Sequence, residues 1–388
     1  MKIVHFAKLL NTKLKRNTFR VGGSESSVVN LALAQTKNHE VAILNSSKIE
    51  NLKLKNIKFF HSEFNLLNIF FNNPFFKLIN LFGKPDIIII HEIYNFNLIP
   101  LIFFSKFLKI NIYICPRGTL SPIALEINKF KKYLYLQIFF KNVVRFANGF
   151  IALNKGEKTH IKKKFKNHQI FLIPNGINRV FSNYKNIKLS NNLKIKRKKI
   201  LIGFLGRYDF YIKGLDILLK EYSLYLNKSL KKSVKIIFIG EHRVKHGYSS
   251  QIILDKFNKI NKKNSIKISG PFYKKKKFRE LQKFDILIQP SRSEGMPSTV
   301  LEAMSVGVPV AATKETNILD ILKKSNSGWE INHNINDISN FFLKIENIDK
   351  KIISNYGLRG YKYSFNKLDI QKISDYCFQK NKLRSYKL

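Results

Sequence analysis

Ser291-Arg292-Ser293-Glu294-Gly295-Met296-Pro297-Ser298-Thr299-Val300-Leu301-Glu302-Ala303-Met304-Ser305-Val306-Gly307-Val308-Pro309-Val310 is the stretch that decides how this chain folds. It follows an apolar run, Asp285–Gln289, and leads into another, Pro309–Ala312. Pro297 suits a first helical position, where its missing N–H costs nothing. Gly307 with Pro309 beyond it is a stop signal. The spacing predicts a strand, a short helix over Pro297–Val306 and a second strand, the repeating unit of a parallel sheet. A helix N-terminus there presents N–H groups and a positive dipole end, a seat for a diphosphate. Glu294 precedes the helix and Glu302 lies in its second turn. At about 1.5 Å per residue the two carboxylates stand roughly 10 Å apart. That is the span from the ribose to the hexose of a nucleotide sugar, and carboxylates accept hydrogen bonds from hydroxyls. Gly295 and Met296, between the strand and the helix, complete the candidate contact surface.

Short apolar runs recur on both sides of this stretch. Ile3–Phe6, Val41–Leu44, Asp86–Ile90, Ile112–Cys115, Phe150–Leu153 and Ile170–Ile173 form one series of expected strands; Ile200–Leu205, Val234–Ile239, Ile266–Ser269, Ile286–Gln289 and Pro309–Ala312 form a second. Continuous rather than alternating apolar runs indicate strands buried on both faces. The series pauses over a polar, basic stretch. The expected organisation is therefore an α/β chain of two Rossmann-like domains, residues 1–178 and 199–365, joined by a linker over 179–198. Residues 366–388 are expected to form a C-terminal helix able to cross back to the first domain. Parallel sheets bind ligands at the carboxyl ends of their strands, and a cleft between two such sheets is a common ligand site.

Two more stretches fall at such ends. Gly203-Phe204-Leu205-Gly206-Arg207-Tyr208-Asp209-Phe210-Tyr211-Ile212-Lys213-Gly214-Leu215-Asp216 follows the first strand of the second series. Arg207 offers a planar fork of donors and Lys213 a mobile point charge, a pair able to neutralise a diphosphate and stabilise it as it departs. Val21-Gly22-Gly23-Ser24-Glu25 follows the first strand of the chain, where Gly23 lets backbone approach a ligand closely.

Composition bounds the rest. In 388 residues, 70 Lys+Arg against 25 Asp+Glu leave a net charge of +45, which raises nucleic acid and anionic membranes as partners. Lys, Asn, Ile and Phe are abundant together, so much of that charge reads as compositional bias, and no nucleic-acid partner is expected. Two cysteines, Cys115 and Cys377, make neither a disulfide framework nor a multi-cysteine zinc site. His5 and Lys8 interrupt the apolar start, which suits a strand better than a signal peptide. No run approaches the roughly 18 apolar residues of a membrane span. A cytoplasmic protein with peripheral contact at the membrane's inner face is the expectation. Leu125–Phe146 supports the peripheral part, mixing Lys129, Lys131, Lys132, Lys141 and Arg145 with Ile127, Phe130 and Phe139, although its basic positions spread around a helical wheel.

With GGSE, CPRGTLSP, IPNGIN, FLGRYDFYIKGLD and SRSEGMPSTVLEAMSVGVPVAAT in this order, the chain resembles the retaining glycosyltransferases of the GT-B fold, in the large family that includes the bacterial group-1-type transferases. The resemblance implies an acceptor domain followed by a nucleotide-sugar domain, a metal-independent reaction with no cofactor, and a UDP- or GDP-sugar as donor substrate. It implies that Glu294 is the first glutamate of an E-x7-E motif, contacting the donor sugar, and Glu302 the second, on the ribose. Arg207 and Lys213 are implied as the diphosphate pair and Gly23 as a first-domain glycine near the phosphates. Many relatives carry a histidine where this chain has Pro116-Arg117-Gly118, as one sub-branch does; Arg117 or His91 is then the candidate for that histidine's part. Thr313–Asn317 also departs from the glycines common there. The implied reaction is same-face attack of a glycan or lipid-linked acceptor hydroxyl on the anomeric carbon, in cell-surface polysaccharide or lipopolysaccharide synthesis. Two other readings are a nucleotide-sugar epimerase, which lacks the paired-glutamate helix, and a non-catalytic module for nucleotide sugars or polyanions, against which the intact charged quartet argues.

Overall fold

The structure, a computed structural model, describes residues 1–8, 23–45, 54, 56–61, 74–91, 93–178, 184–241, 244–245, 248–249, 255, 266–379 and 382–388. Val21 and Gly22 of the glycine pair fall outside them. The chain forms two compact units: Met1–Asn178 with Asp369–Leu388, and Arg179–Leu368.

The first unit is built on seven strands: β1 (Lys2–Ala7), β2 (Glu40–Asn45), β3 (Ile57–His61), β4 (Ile87–Ile90), β5 (Asn111–Ile114), β6 (Gly149–Ala152) and β7 (Ile170–Leu172). They pair in parallel in the order β3-β2-β1-β4-β5-β6-β7. The cause is legible in β4, four consecutive isoleucines that are all buried; only a sheet covered by helices on both faces can bury such a run. Phe75, Leu78, Leu101, Ile102 and Phe140 come from the covering helices and close one side of the core.

The second unit repeats the plan with β8 (Ile200–Leu205), β9 (Val234–Ile239), β12 (Ile266–Ser269), β13 (Ile286–Gln289), β14 (Val310–Ala312) and β15 (Gly328–Glu330), in the order β12-β9-β8-β13-β14-β15. A two-residue pair, β10 (Val244–Lys245) and β11 (Tyr248–Ser249), stands apart from that sheet. Each large sheet grows outward in both directions from its first strand. The order reverses beside β1/β4 and beside β8/β13, which is where an open parallel sheet opens a crevice for ligands.

Three expectations need correction. Residues 179–198 are not simply a linker: Tyr184–Lys196 is a helix of the second unit. Among its residues whose burial is described, Ile187, Asn191 and Lys194 are the buried ones, a helical spacing that includes an amide and an ammonium, so hydrophobic periodicity does not reveal it. Burial pushes the Lys194 ammonium down to about 8. The decisive helix runs Ser298–Ser305, with Pro297 in its N-cap position in extended backbone (φ −69°, ψ 117°), and Gly307 beyond it adopts φ +73°. The tail is more than one helix. Lys350–Lys367 belongs to the second unit, whereas helix Ile370–Cys377 and the hairpin β16 (Phe378–Gln379) and β17 (Lys382–Leu383) belong to the first. The chain leaves and re-enters the first unit side by side, since Ile370 N donates to Ile177 O (3.1 Å). Strands β3 and β15 were not expected at all.

Candidate functional site

In the second unit the loop after β8 and the loop after β13 lie against each other at the switch point. Gly214 adopts φ +66°, and a Cβ there would stand 1.9 Å from the Pro290 carbonyl oxygen, so the approach of the two loops requires glycine. Arg292 straps them. Its guanidinium forks onto both carboxylate oxygens of Asp216 (2.7 Å each), covers the Tyr211 ring at 4.5 Å, and donates to Tyr211 O (2.6 Å). Its backbone N–H donates to Ile212 O at 2.9 Å.

That approach brings Lys213 and Glu294 into a direct ion pair. The side-chain contacts converge on one carboxylate oxygen: Glu294 Oε1 accepts from Lys213 Nζ, from Ser291 Oγ (3.0 Å) and from Gln289 Nε2 (3.3 Å). Gln289 also donates to Ser291 Oγ at 2.8 Å. The described residues offer no partner to Oε2. The Glu294 backbone is fixed on both sides by the 3₁₀ turn Lys314–Thr316 and its successor: Glu294 N donates to Glu315 O (3.1 Å) and Asn317 Nδ2 to Glu294 O (2.7 Å). The loop that lacks glycines therefore acts as a clamp on the Glu294 main chain.

Glu302 repeats the pattern. Buried on the helix Ser298–Ser305, it pairs through Oε1 with Lys277, from helix Lys274–Gln282. Its Oε2 is buried with no hydrogen-bond partner. A buried acceptor without a donor is costly, and a ligand hydroxyl is the group that removes the cost. Arg207 stands exposed just past the end of β8, where Asp209 N donates to its carbonyl at 2.9 Å. Met296 is buried between strand and helix, and Gly295 is half-buried. Among the described residues no group of three His, Cys, Asp or Glu could hold a metal ion.

Residues 185–356 match the family "Glycosyl transferases group 1", and residues 21–180 match "Glycosyltransferase Family 4". Together the two matches take in most of the chain. By these matches the chain is similar to the group 1 glycosyltransferases over its second half and to Glycosyltransferase Family 4 over its first. An uncharacterized glycosyltransferase of Methanocaldococcus jannaschii is 27% identical over 252 residues, 61% of this chain and 57% of that protein. The chain thus aligns with little more than half the length of that curated relative. The capsular polysaccharide biosynthesis glycosyltransferase CapM of Staphylococcus aureus is 24% identical over 267 residues, 66% of this chain and 67% of CapM. Among solved structures, Anabaena Alr3699/HepE in complex with UDP-glucose superposes with a TM-score of 0.71 at 16% identity, covering 97% of each chain. At that identity the likeness shows the two-unit fold.

In the first unit, Gly23 opens the helix Gly23–Gln35, and a Cβ there would meet nothing within 4 Å. His91 follows β4, and Arg117 lies three residues past β5. They touch: Arg117 Nε donates to His91 Nδ1 at 3.0 Å, and Arg117 Nη1 to Asn175 Oδ1 at 3.2 Å. His91 Nε2 lies 2.8 Å from His5 Nδ1, and His5 Nε2 lies 2.6 Å from Gln35 Oε1. Both rings are buried. Burial, with the nearby Arg117 charge, holds His91 well below the usual histidine range; burial chiefly, opposed by the Gln35 contact, brings His5 down to about 4. His91 is therefore neutral with both nitrogens engaged, which suits holding Arg117 better than exchanging a proton with substrate.

Ser291, Gln289, Lys277, Asn317, the Arg292–Asp216 strap, His5 and Gln35 join the site only in the structure. Ser291, Arg292 and Asp216 lie inside the quoted motifs and carried a signal. Lys277, in a run of four lysines, carried none.

Proposed function

We propose that this protein transfers a hexose-type sugar from a nucleotide sugar, a UDP- or GDP-sugar first, to a hydroxyl of a glycan or lipid-linked acceptor, with retention of configuration and without a metal ion. The observation that carries the reading is the paired construction of Glu294 and Glu302: each has one oxygen anchored by a lysine and the other unused. Two fixed acceptors on either side of a helix N-terminus suit hydroxyls on either side of a diphosphate. In the proposed step the acceptor hydroxyl bonds to the anomeric carbon as the carbon–oxygen bond to the nucleoside diphosphate breaks. The diphosphate leaves with the electron pair and its oxygen takes the hydroxyl proton. Lys213 and Arg207 stabilise the growing negative charge, and the protein's contribution is mainly positioning and electrostatics.

Synthesis of a cell-surface polysaccharide is the proposed setting, in keeping with the name of the CapM relative. Peripheral contact with an anionic membrane is proposed for the first unit. There Phe130 and Ile138 are exposed among lysines, and a cavity of about 540 Å³ is lined by Lys129, Lys132, Lys141, Lys163 and Lys164 with Leu136. Among the described residues no helix is long and apolar enough to cross a membrane. Flotation with anionic vesicles at physiological salt tests that contact, and failure to float removes it.

The donor is tested by thermal shift against UDP-, GDP- and ADP-sugars, followed by release of nucleoside diphosphate. One nucleotide series is expected to raise Tm, because a ligand that binds only the folded state stabilises it. Glu302→Gln is expected to shrink the shift. No shift with any series at millimolar concentration, and no release, would remove the reading.

A further inference from the structure

The polar chain in the first unit has a direction. An arginine guanidinium donates and cannot accept. Arg117 Nε, 3.0 Å from His91 Nδ1, therefore fixes that nitrogen as an acceptor and places the His91 proton on Nε2. His91 Nε2–H then faces His5 Nδ1 at 2.8 Å, which makes His5 Nδ1 the acceptor and puts its proton on Nε2. His5 Nε2–H in turn donates to Gln35 Oε1 at 2.6 Å. With two neutral rings, no other placement of the protons satisfies all three contacts. The ring planes lie within 9° of parallel with centroids 5.1 Å apart, as an in-plane N–H···N bond between them requires. They sit on the central strand β1 and at the end of its neighbour β4, where His91 N donates to Phe6 O at 2.9 Å.

The partners of Arg117 are also unusual in charge. Among the described residues no carboxylate bonds its guanidinium. Glu157, buried and within reach of its field, uses Oε1 to accept from Gly118 N (2.6 Å) and Oε2 to accept from Leu153 N (2.8 Å). Cys115, the other titratable group nearby, is a buried thiol pushed up to about 12 by burial. Among the described residues the guanidinium is thus held by a neutral imidazole and by the neutral Asn175 amide, with no partner to Nη2. Arg117 adopts φ +53° and Gly118 φ +83°. A left-handed arginine is a strained conformer that persists only where its surroundings over-determine it, and such strain gathers at functional sites.

We propose that Gln35, His5 and His91 are positioning residues: a relay of fixed proton order that aims the Arg117 guanidinium without neutralising it, so that its charge is kept for an anionic group of the substrate. An ion pair would fix the same geometry but cancel the charge. The proposal rests on the sugar-transfer reading only for the identity of that anion.

Two measurements on the full chain test it. In ¹⁵N-histidine spectra, with His5→Asn and His91→Asn for assignment, both rings are expected as neutral Nε2–H tautomers from pH 8 to pH 6. A ring protonated on Nδ1 overturns the relay whether or not the protein turns over sugar nucleotides. In the second, release of nucleoside diphosphate from UDP-glucose, GDP-mannose and ADP-glucose is compared in His91→Leu and His91→Asn. Asparagine puts an acceptor oxygen near the position of Nδ1 and leucine puts none. Losing a hydrogen bond to a charged group predicts a kcat about 30-fold lower in His91→Leu, with donor KM within about twofold, and recovery of most of that loss in His91→Asn. Equal losses in the two variants at matched Tm, or an undiminished His91→Leu, sink the positioning role. A wild-type protein that releases no diphosphate from any of the three defeats the sugar-transfer reading, and the ring spectra then decide the relay alone.

Discussion

The two units hold their key cations by opposite means. In the second, Lys213 and Lys277 each meet a carboxylate, Glu294 and Glu302. In the first, Arg117 meets only neutral groups among the described residues, His91 and Asn175. An ion pair fixes geometry and lowers the charge a ligand feels, so any anion drawn to Lys213 has to share it with Glu294. A neutral acceptor fixes geometry and leaves the charge whole. The first arrangement suits a cation whose partner can be exchanged on binding, the second a cation that must stay aimed when nothing is bound.

The largest effect expected from breaking this contrast falls on Lys213. Lys213→Met removes the cation and leaves Glu294 Oε1 with only Ser291 and Gln289 as donors. Removing one pre-organised charge stabiliser lowers turnover by about 10²–10³-fold, read as the rate of nucleoside diphosphate release at saturating donor. Circular dichroism should show the fold retained, because the pair is only partly buried. A variant within threefold of wild type would mean that Lys213 serves Glu294 and nothing else.

A smaller effect is expected at Glu302. Glu302→Gln keeps the shape, but an amide now stands where Oε1 met Lys277 and where Oε2 has no partner. One hydrogen bond from a ligand hydroxyl to a charged acceptor predicts donor affinity about tenfold weaker, with kcat little changed, as isothermal titration and initial rates can separate. The companion Lys277→Met sharpens the contrast. If Lys277 only anchors the carboxylate, the double variant should lose little more than Glu302→Gln alone. Additive losses would mean that Lys277 touches the ligand itself.

How much of this was legible beforehand differs between the units for physical reasons. Runs such as Ile87–Ile90 and Ile286–Gln289 announce strands buried on both faces, and most of the architecture followed from them. Strand Ile57–His61 escaped because it is only partly covered, and helix Tyr184–Lys196 because its buried face includes Asn191 and Lys194. Lys213 and Glu294 were legible because each stands at a strand end inside a local motif. The relay was not: Gln35, His5, His91 and Arg117 come from four separate elements, and no local spacing links them. His91 and Arg117 were each suspected, but as alternatives for one part rather than as one assembly.

Acid tests the neutral side of the comparison. The folded values of His5 and His91 lie below the ordinary 6.5, so between pH 6.5 and about 4 the unfolded chain binds protons that the folded chain does not. Stability from these groups is whole above about 6.5 and is lost as pH falls toward 4. The limiting slope is about 1.4 kcal/mol per pH unit for each histidine. Urea midpoints from pH 7 to pH 4.5 should therefore fall less steeply in His5→Asn and His91→Asn than in the wild type. Parallel curves would show that the histidines are already charged or already exposed.

The smallest effect is expected at the strap. Arg292→Lys keeps the charge but loses the fork on Asp216 and the stacking on Tyr211. The Asp216 side chain is 45% exposed, so solvent screens the pair and its loss costs no more than about 1 kcal/mol. Salt separates this contact from the relay. At about 1 M salt the Debye length is near 3 Å, and the stability gap between wild type and Arg292→Lys should narrow, whereas a gap caused by His91→Leu, buried and neutral, should not. Because Arg292 also keeps the Lys213 loop against the Glu294 loop, donor KM should rise about threefold even where stability hardly moves. An Arg292→Lys protein with unchanged KM at low salt would show that Gly214 and the backbone bond to Ile212 hold the two loops without it.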